Sequence, residues 1–196
     1  MSRLDSFIAR MQAQRDCMNF LKPGIDAIAG PILEVGLGNG RTYDHLRDLF
    51  PGRDIYVFER KVAAHPDCVP PDDRLFLGDA DRTIPQAAAR LGATAALIHT
   101  DLGTGDHAAN VAMGKWLGPA LDALAAPGGY VLANQALAVK RWQLLPEPPG
   151  VPKDRYFLYK VAQVMGARHS EARRSNVSDR TGAPAPAARS HPRPIR

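Results

Sequence analysis

The 196-residue sequence predicts an α/β fold: a doubly wound, mostly parallel sheet of about seven strands in three layers (α/β/α), preceded by an N-terminal helix. Three observations carry that prediction. An apolar strand, Ile32-Leu33-Glu34-Val35, runs straight into the alternate glycines Gly36, Gly38 and Gly40 and then into a helical stretch from Thr42 to Phe50. Short apolar runs go on alternating with amphipathic stretches as far as Ala133, the pattern of β-α-β units. Polar residues gather where each predicted strand meets its following loop, the rim at which open α/β sheets bind ligands.

The elements follow in chain order. Leu4, Phe7, Ile8, Met11, Met18 and Leu21 recur at helical spacing, and Ser2 with Asp5 forms a capping box. Pro23-Gly24 ends this helix, and a second short one, Ile25 to Ala29, leads to the first strand. The apolar stripe is expected to pack on the sheet or to lie over the ligand site. The polar face (Gln12, Gln14, Arg15, Asp16, Asn19) could reach a substrate. After the first strand the chain must turn tightly and let a ligand approach its backbone, which is what glycine permits. The unpaired N–H groups at the next helix start can bond polar ligand atoms.

The second strand, Asp54 to Phe58, ends in Glu59. A third, Arg74 to Leu77, ends in Gly78-Asp79-Ala80, ahead of a helix through Leu91 that Asp79 or Asp81 could cap. The fourth, Ala95 to Thr100, ends in Asp101, with Gly103 and Gly105 beyond it. A helix from Asp106 to Ala125 places Val111, Met113, Trp116, Leu117, Leu121 and Leu124 on a face suited to burial. Pro127-Gly128-Gly129 turns into the fifth strand, Gly129 to Ala133, which ends in Asn134-Gln135. Trp142 to Leu145 and Tyr156 to Val161 read as closing strands, joined by the proline-rich link Pro146 to Pro152.

Composition bounds the partners. An apolar fraction of 45% supplies a core, and no apolar run approaches the ~20 residues of a membrane span. The N-terminus lacks a signal-peptide apolar segment, and Cys17 and Cys68 have neither metal nor redox spacing, so a reducing cytoplasm is expected. The net charge of +5 lies wholly in residues 166–196, where seven arginines face only Glu171 and Asp179. That Arg/Pro/Ala-rich tail has too little apolar surface to offset its ordering entropy and is expected to be disordered. One domain is expected over residues 1–165, with a helical segment to residue 29 and the sheet from residue 30. An arginine arm for nucleic acid is one reading of the tail. A solubilising extension is the favoured one, because no aromatic residue is interleaved to stack on bases.

The segment Glu34-Val35-Gly36-Leu37-Gly38-Asn39-Gly40 reads E-x-G-x-G-x-G. A dinucleotide fingerprint wants glycine where Arg41 stands. The pattern resembles instead motif I of the class I S-adenosylmethionine-dependent methyltransferases, a Rossmann-like family, and the resemblance runs from about Gly30 to Val161. It implies S-adenosyl-L-methionine as cofactor. It implies that Glu34 and the loop Gly36, Leu37, Gly38, Asn39 and Gly40 serve its methionine part. Glu59, with Arg60 beside it, is implied for the ribose hydroxyls. Gly78, Asp79 and Ala80 are implied for the adenine, and Asp101 lies beside the methyl.

Methyl transfer asks mainly for positioning, plus a base where the nucleophile arrives protonated. His99, Asp101 and His107 are the catalytic candidates, although a histidine in a strand can equally be a satisfied core residue. Asp101 aligns with a metal-binding acid of catechol-type O-methyltransferases, but Asn134-Gln135 stands where those enzymes add an Asp-Asn pair, so no metal is expected. The Asn/Asp-Pro-Pro-aromatic signature of many amino-methylating enzymes is replaced by Thr100-Asp101-Leu102-Gly103, which disfavours a nucleic-acid base. A small-molecule acceptor, methylated at oxygen or nitrogen, is therefore expected. The alternatives are a nucleic-acid or protein methyltransferase guided by the tail, and a non-catalytic S-adenosylmethionine-binding protein. Oligomeric state is left open.

Overall fold

The computed structural model describes residues 2–103 and 106–163 and, for His107, the backbone alone. These belong to one compact unit, residues 1–164. The expectations for the tail lie outside the described residues. Helix α1 (Arg3–Asp26) comes first, followed by β1 (Ile32–Val35), α2 (Arg41–Leu49), β2 (Ile55–Glu59), β3 (Leu75–Leu77), α3 (Ala80–Leu91) and β4 (Ala95–Thr100). Then come α4 (His107–Asp122), β5 (Ala125–Ala133), β6 (Trp142–Leu145) and β7 (Phe157–Val161). The sheet order is β3-β2-β1-β4-β5-β7-β6, with only β7 antiparallel to its neighbours. This is a Rossmann-like doubly wound sheet whose order reverses between β1 and β4.

Alternation along the strands divides the core. Leu33 and Val35 face α3 and α4, while Ile32, Val57, Leu97 and Leu132 face α1 and α2. Glu34 shares the α1 face with Ile32, and His99 shares it with Leu97, because side chains two residues apart point the same way. Glu34 and His99 are also register partners across β1 and β4. Two polar side chains are thus brought together on the buried face of the sheet.

The N-terminal region departs from expectation in two ways. There is no break at Pro23-Gly24 and no second helix: α1 is continuous, with Pro23 inside it. Proline removes one backbone donor, but Leu21 (3% exposed) and Ile25 (0%) lie on the buried face, and their burial carries the helix through. Gly24 leaves room for Tyr130, since a Cβ would lie 2.1 Å from its hydroxyl and the ring would have to move. The apolar stripe also does not stay on the sheet. Met18 and Leu21 are buried, but Leu4, Phe7 and Ile8 are exposed on the first turns. Those turns are held by the predicted capping box, in which Asp5 N–H donates to Ser2 Oγ and Ser2 N–H to the Asp5 carboxylate, both at 3.0 Å.

Elsewhere the corrections are local. Val111 and Trp116 of α4 are exposed, and Leu117 and Leu121 carry its burial, with Leu124 buried just past its end. The Pro127-Gly128-Gly129 signal is an irregularity inside β5, which starts at Ala125: Ala95 pairs with Ala125 but Leu97 with Tyr130. No helix separates β5 from β6, so the chain passes directly into the closing hairpin.

Candidate active site

Two adjoining cavities open at the carboxyl ends of the strands. One of about 280 Å³ is lined by the loop Gly36–Asn39, by Arg41, Thr42, Glu59 and Asp101–Gly103, and by Arg10, Met11 and Gln14 of α1. The other, of about 440 Å³, is lined by Val35, Gly36, Phe58, Glu59, Arg60, Gly78–Asp81, Leu102, Gly103, Met113 and Trp116. Gly36, Glu59, Leu102 and Gly103 are common to both, so they form two arms of one cleft at the point where strand order reverses. Their sizes suit a small ligand, for which ~300–1,000 Å³ is typical.

The glycine loop bends as its composition requires. Gly36, Gly38 and Gly40 have φ of +100°, +53° and +83°. A Cβ on Gly38 would meet nothing within 4 Å, so that backbone borders open cavity. Gly40 differs. It N-caps α2, and a Cβ there would lie 2.4 Å from Cys68 Cβ. It lines neither cavity, and its requirement is packing rather than ligand access.

Glu59 clamps this loop from the end of β2. One carboxylate oxygen accepts from Leu37 N–H (2.9 Å) and Gly38 N–H (3.0 Å), and the other from Arg60 N–H (2.8 Å) and Lys61 N–H (3.1 Å). Glu59 therefore shapes the cradle as well as lining both arms. In the larger arm Asp79 stands at the N-cap of α3 without a side-chain capping bond, leaving its carboxylate on the cavity wall beside Asp81.

Glu34 and His99 are fully buried and line neither arm. Glu34 accepts from the Thr42 hydroxyl and from His99 Nδ1, the latter at 2.6 Å. Its place is behind the glycine loop, not in the cradle. Burial favours the neutral imidazole of His99, but the Glu34 carboxylate, its hydrogen bond and Asp101 beyond it outweigh that and hold the pKa above the ordinary histidine value. His99 is thus shut away from the cleft. His107 opens α4, and its side chain lies outside the described residues.

Asp101 does line the smaller arm. Arg10 Nη1 and Gln14 Nε2 both reach its Oδ2, each at 3.4 Å. Its Oδ1 is buried and has no hydrogen-bond partner among the described residues. It does not cap α4: Asp106 does, accepting from Ala108 N–H (2.8 Å) and Ala109 N–H (3.3 Å). Tyr156 is sealed nearby, and burial pushes its phenol well above the ordinary range, so it stays protonated. Of Gln12, Gln14, Arg15, Asp16 and Asn19, the α1 residues expected to reach a substrate, only Gln14 lines the cleft, joined by Arg10. Arg15 pairs with Asp16, and Asn19 bonds His45.

Sequence reasoning overlooked Arg10, Arg41 and Thr42 in the smaller arm and Leu102, Met113 and Trp116 in the larger, while Met11 belongs to the stripe expected on the sheet or over the ligand site. The three from α4 and its leading loop look like core or loop in the sequence, because periodicity does not distinguish a face turned to the sheet from one turned to a cleft. Among the described residues no three His, Cys, Asp or Glu side chains converge to hold a metal ion, and no helix is long and apolar enough to cross a membrane. Cys17 is buried, which pushes its thiol up to about 12, away from reactive thiolate behaviour.

Comparison with known proteins agrees with this geometry. A family model described as S-adenosyl-L-methionine methyltransferase matches residues 1–161. Among solved structures, an S-adenosyl-L-methionine methyltransferase from Silicibacter pomeroyi is 42% identical with a TM-score of 0.79, over 83% of this chain and 99% of that one. A putative methyltransferase, yhhF, from Escherichia coli is 14% identical with a TM-score of 0.54, over 78% and 88%, and shares the fold. None of the curated proteins compared matches the chain. With the sheet order, the glycine cradle and the two-armed cleft in place, the chain belongs to the S-adenosyl-L-methionine methyltransferase family.

Proposed function

We propose that this S-adenosylmethionine-dependent methyltransferase transfers methyl, by in-line displacement, to oxygen or nitrogen of a small-molecule acceptor. The observation that carries the reading is the smaller arm. It is compact, closed on one side by α1, and holds a carboxylate, Asp101, with an unpartnered oxygen. When bound, the cofactor supplies an activated methyl group whose leaving thioether needs no proton. The open backbone at Gly38 and its neighbours Leu37 and Asn39 would hold the amino-acid end. Glu59 would meet the ribose, with Arg60 beside it, and Gly78, Asp79 and Ala80 would flank the adenine. Asp101 would accept a hydrogen bond from the acceptor's O–H or N–H, orient it for attack, and take its proton. Arg10 offsets the negative charge of Asp101 before the acceptor arrives.

The test is a screen of candidate acceptors with methyl-labelled cofactor. Label appearing in a small molecule supports the reading, and label only in protein or nucleic acid refutes it. The second reading, a macromolecular acceptor guided by the basic tail, rests on the seven arginines of residues 166–196. Deleting those residues should leave small-molecule turnover unchanged and should abolish macromolecular methylation.

A further inference from the structure

Three buried polar side chains meet at the smaller arm: Gln14 (1% exposed), which lines it, and Glu34 and His99 (both 0%), which lie behind it. Burying such groups is costly unless each finds partners, and here they find one another in a line. The Thr42 hydroxyl and His99 Nδ1 meet the two oxygens of Glu34. Gln14 Nε2 lies 2.9 Å from His99 Nε2 and 3.4 Å from Asp101 Oδ2. The line therefore runs from the start of α2, behind the cofactor loop, to the carboxylate on the acceptor side.

Donor accounting makes this line more than packing. An amide nitrogen carries only donors. With that nitrogen toward the ring, Gln14 needs a bare lone pair on His99 Nε2, so the ring proton sits on Nδ1, where Glu34 receives it. The same orientation aims the second amide hydrogen at Asp101. A doubly protonated His99 would present N–H to N–H. The amide would then turn over, and its oxygen would face the Asp101 carboxylate, which repels it. One rotatable amide thus makes the protonation of His99 and the hydrogen bonding of Asp101 mutually dependent.

We propose that Gln14 is the positioning residue of the acceptor subsite: its amide takes its orientation from His99 and hands it to Asp101, so the carboxylate is directed at the acceptor only while His99 Nε2 is unprotonated. This rests on the assignment of Asp101 to the acceptor side. The groups that set the equilibrium are few. His99 faces Glu34 from β1 and Gln14 from α1, and Asp101 faces Arg10 and Gln14 from α1, with Tyr156 nearby ahead of β7.

The experiment is a titration of the full-length, nitrogen-15-labelled protein saturated with S-adenosylhomocysteine, from about pH 5 to 9, the range in which histidine changes charge. The Gln14 side-chain amide and the His99 ring nitrogens should move in one step with a common midpoint, above the ordinary ~6.5. Glu34→Gln keeps the shape but removes the anion, and should carry both midpoints down together. An amide that stays still across the range overturns the proposal. So does one that fails to follow when Glu34→Gln moves His99. If that variant does not fold, the wild-type titration decides alone. Failure here leaves the role of Asp101 standing, because that role is judged separately by methyl transfer in Asp101→Asn.

Discussion

Removing the Glu59 carboxylate should loosen the cofactor cradle before it touches any ligand. Glu59→Ala strips acceptors from four backbone N–H groups at 2.8–3.1 Å. They are not equal. Gly38, Arg60 and Lys61 lie where water can replace the lost acceptor, at a cost of roughly a few tenths of a kcal/mol each. Leu37 is 2% exposed, and its N–H loses a bond to a charged acceptor, about 1.5–3 kcal/mol. The sum, about 2–4 kcal/mol, falls on the ordered loop that binding requires, which corresponds to a roughly thirty- to thousandfold weaker Kd. Calorimetry with S-adenosylhomocysteine reads this directly, and circular dichroism checks that the sheet is intact. Loss of the ribose contact would add to the figure. A Glu59→Ala protein that is folded and binds within twofold of wild type would refute both the clamp and the ribose assignment.

Gly38→Val should abolish cofactor binding with the fold retained, since its Cβ enters open cavity, although φ of +53° adds about 1–2 kcal/mol of local strain. Normal binding by a folded variant would remove the cradle from this loop. Asp101→Asn should lower methyl transfer by about 10²–10⁴-fold while leaving cofactor affinity and melting temperature near wild type, because Asp106 supplies the α4 cap. An unchanged rate excludes Asp101 from catalysis, and chelator added to the same assay should have no effect. Stability should fall as pH rises from about 6.5 through the folded-state pKa of His99. The folded protein, with its raised pKa, keeps a proton there that the unfolded chain has released. Denaturant melts across that window should show the slope, and Glu34→Gln should flatten it; stability that rises with pH in wild type but not in the variant would contradict the sign.

The succession of elements is legible in the chain alone: E-x-G-x-G-x-G after an apolar strand, acids at the ends of β2, β3 and β4, and a closing hairpin. Those signals are local. A tight turn needs glycine wherever it lies in space, and a strand end is marked by its neighbours in the chain. Glu59, Asp79 and Asp101 were therefore legible as rim residues from their positions alone. Groups that meet across the chain become legible only once its segments are packed. Glu34 was assigned to the cofactor because motif spacing does not say which face of β1 is buried, and its partner His99 is 65 residues away. Gln14 looked like one of several polar residues on a helix face until its contacts at sequence distances of 85 and 87 placed it between His99 and Asp101. Pro23 read as a stop, because helix propensity weighs the lost backbone bond and not the burial of Ile25 against the sheet. Local sequence fixes where the chain turns, whereas burial and hydrogen-bond partnership are set by segments distant in sequence. Only their packing turned a row of strand-end acids into a two-armed cleft with a buried polar line behind it.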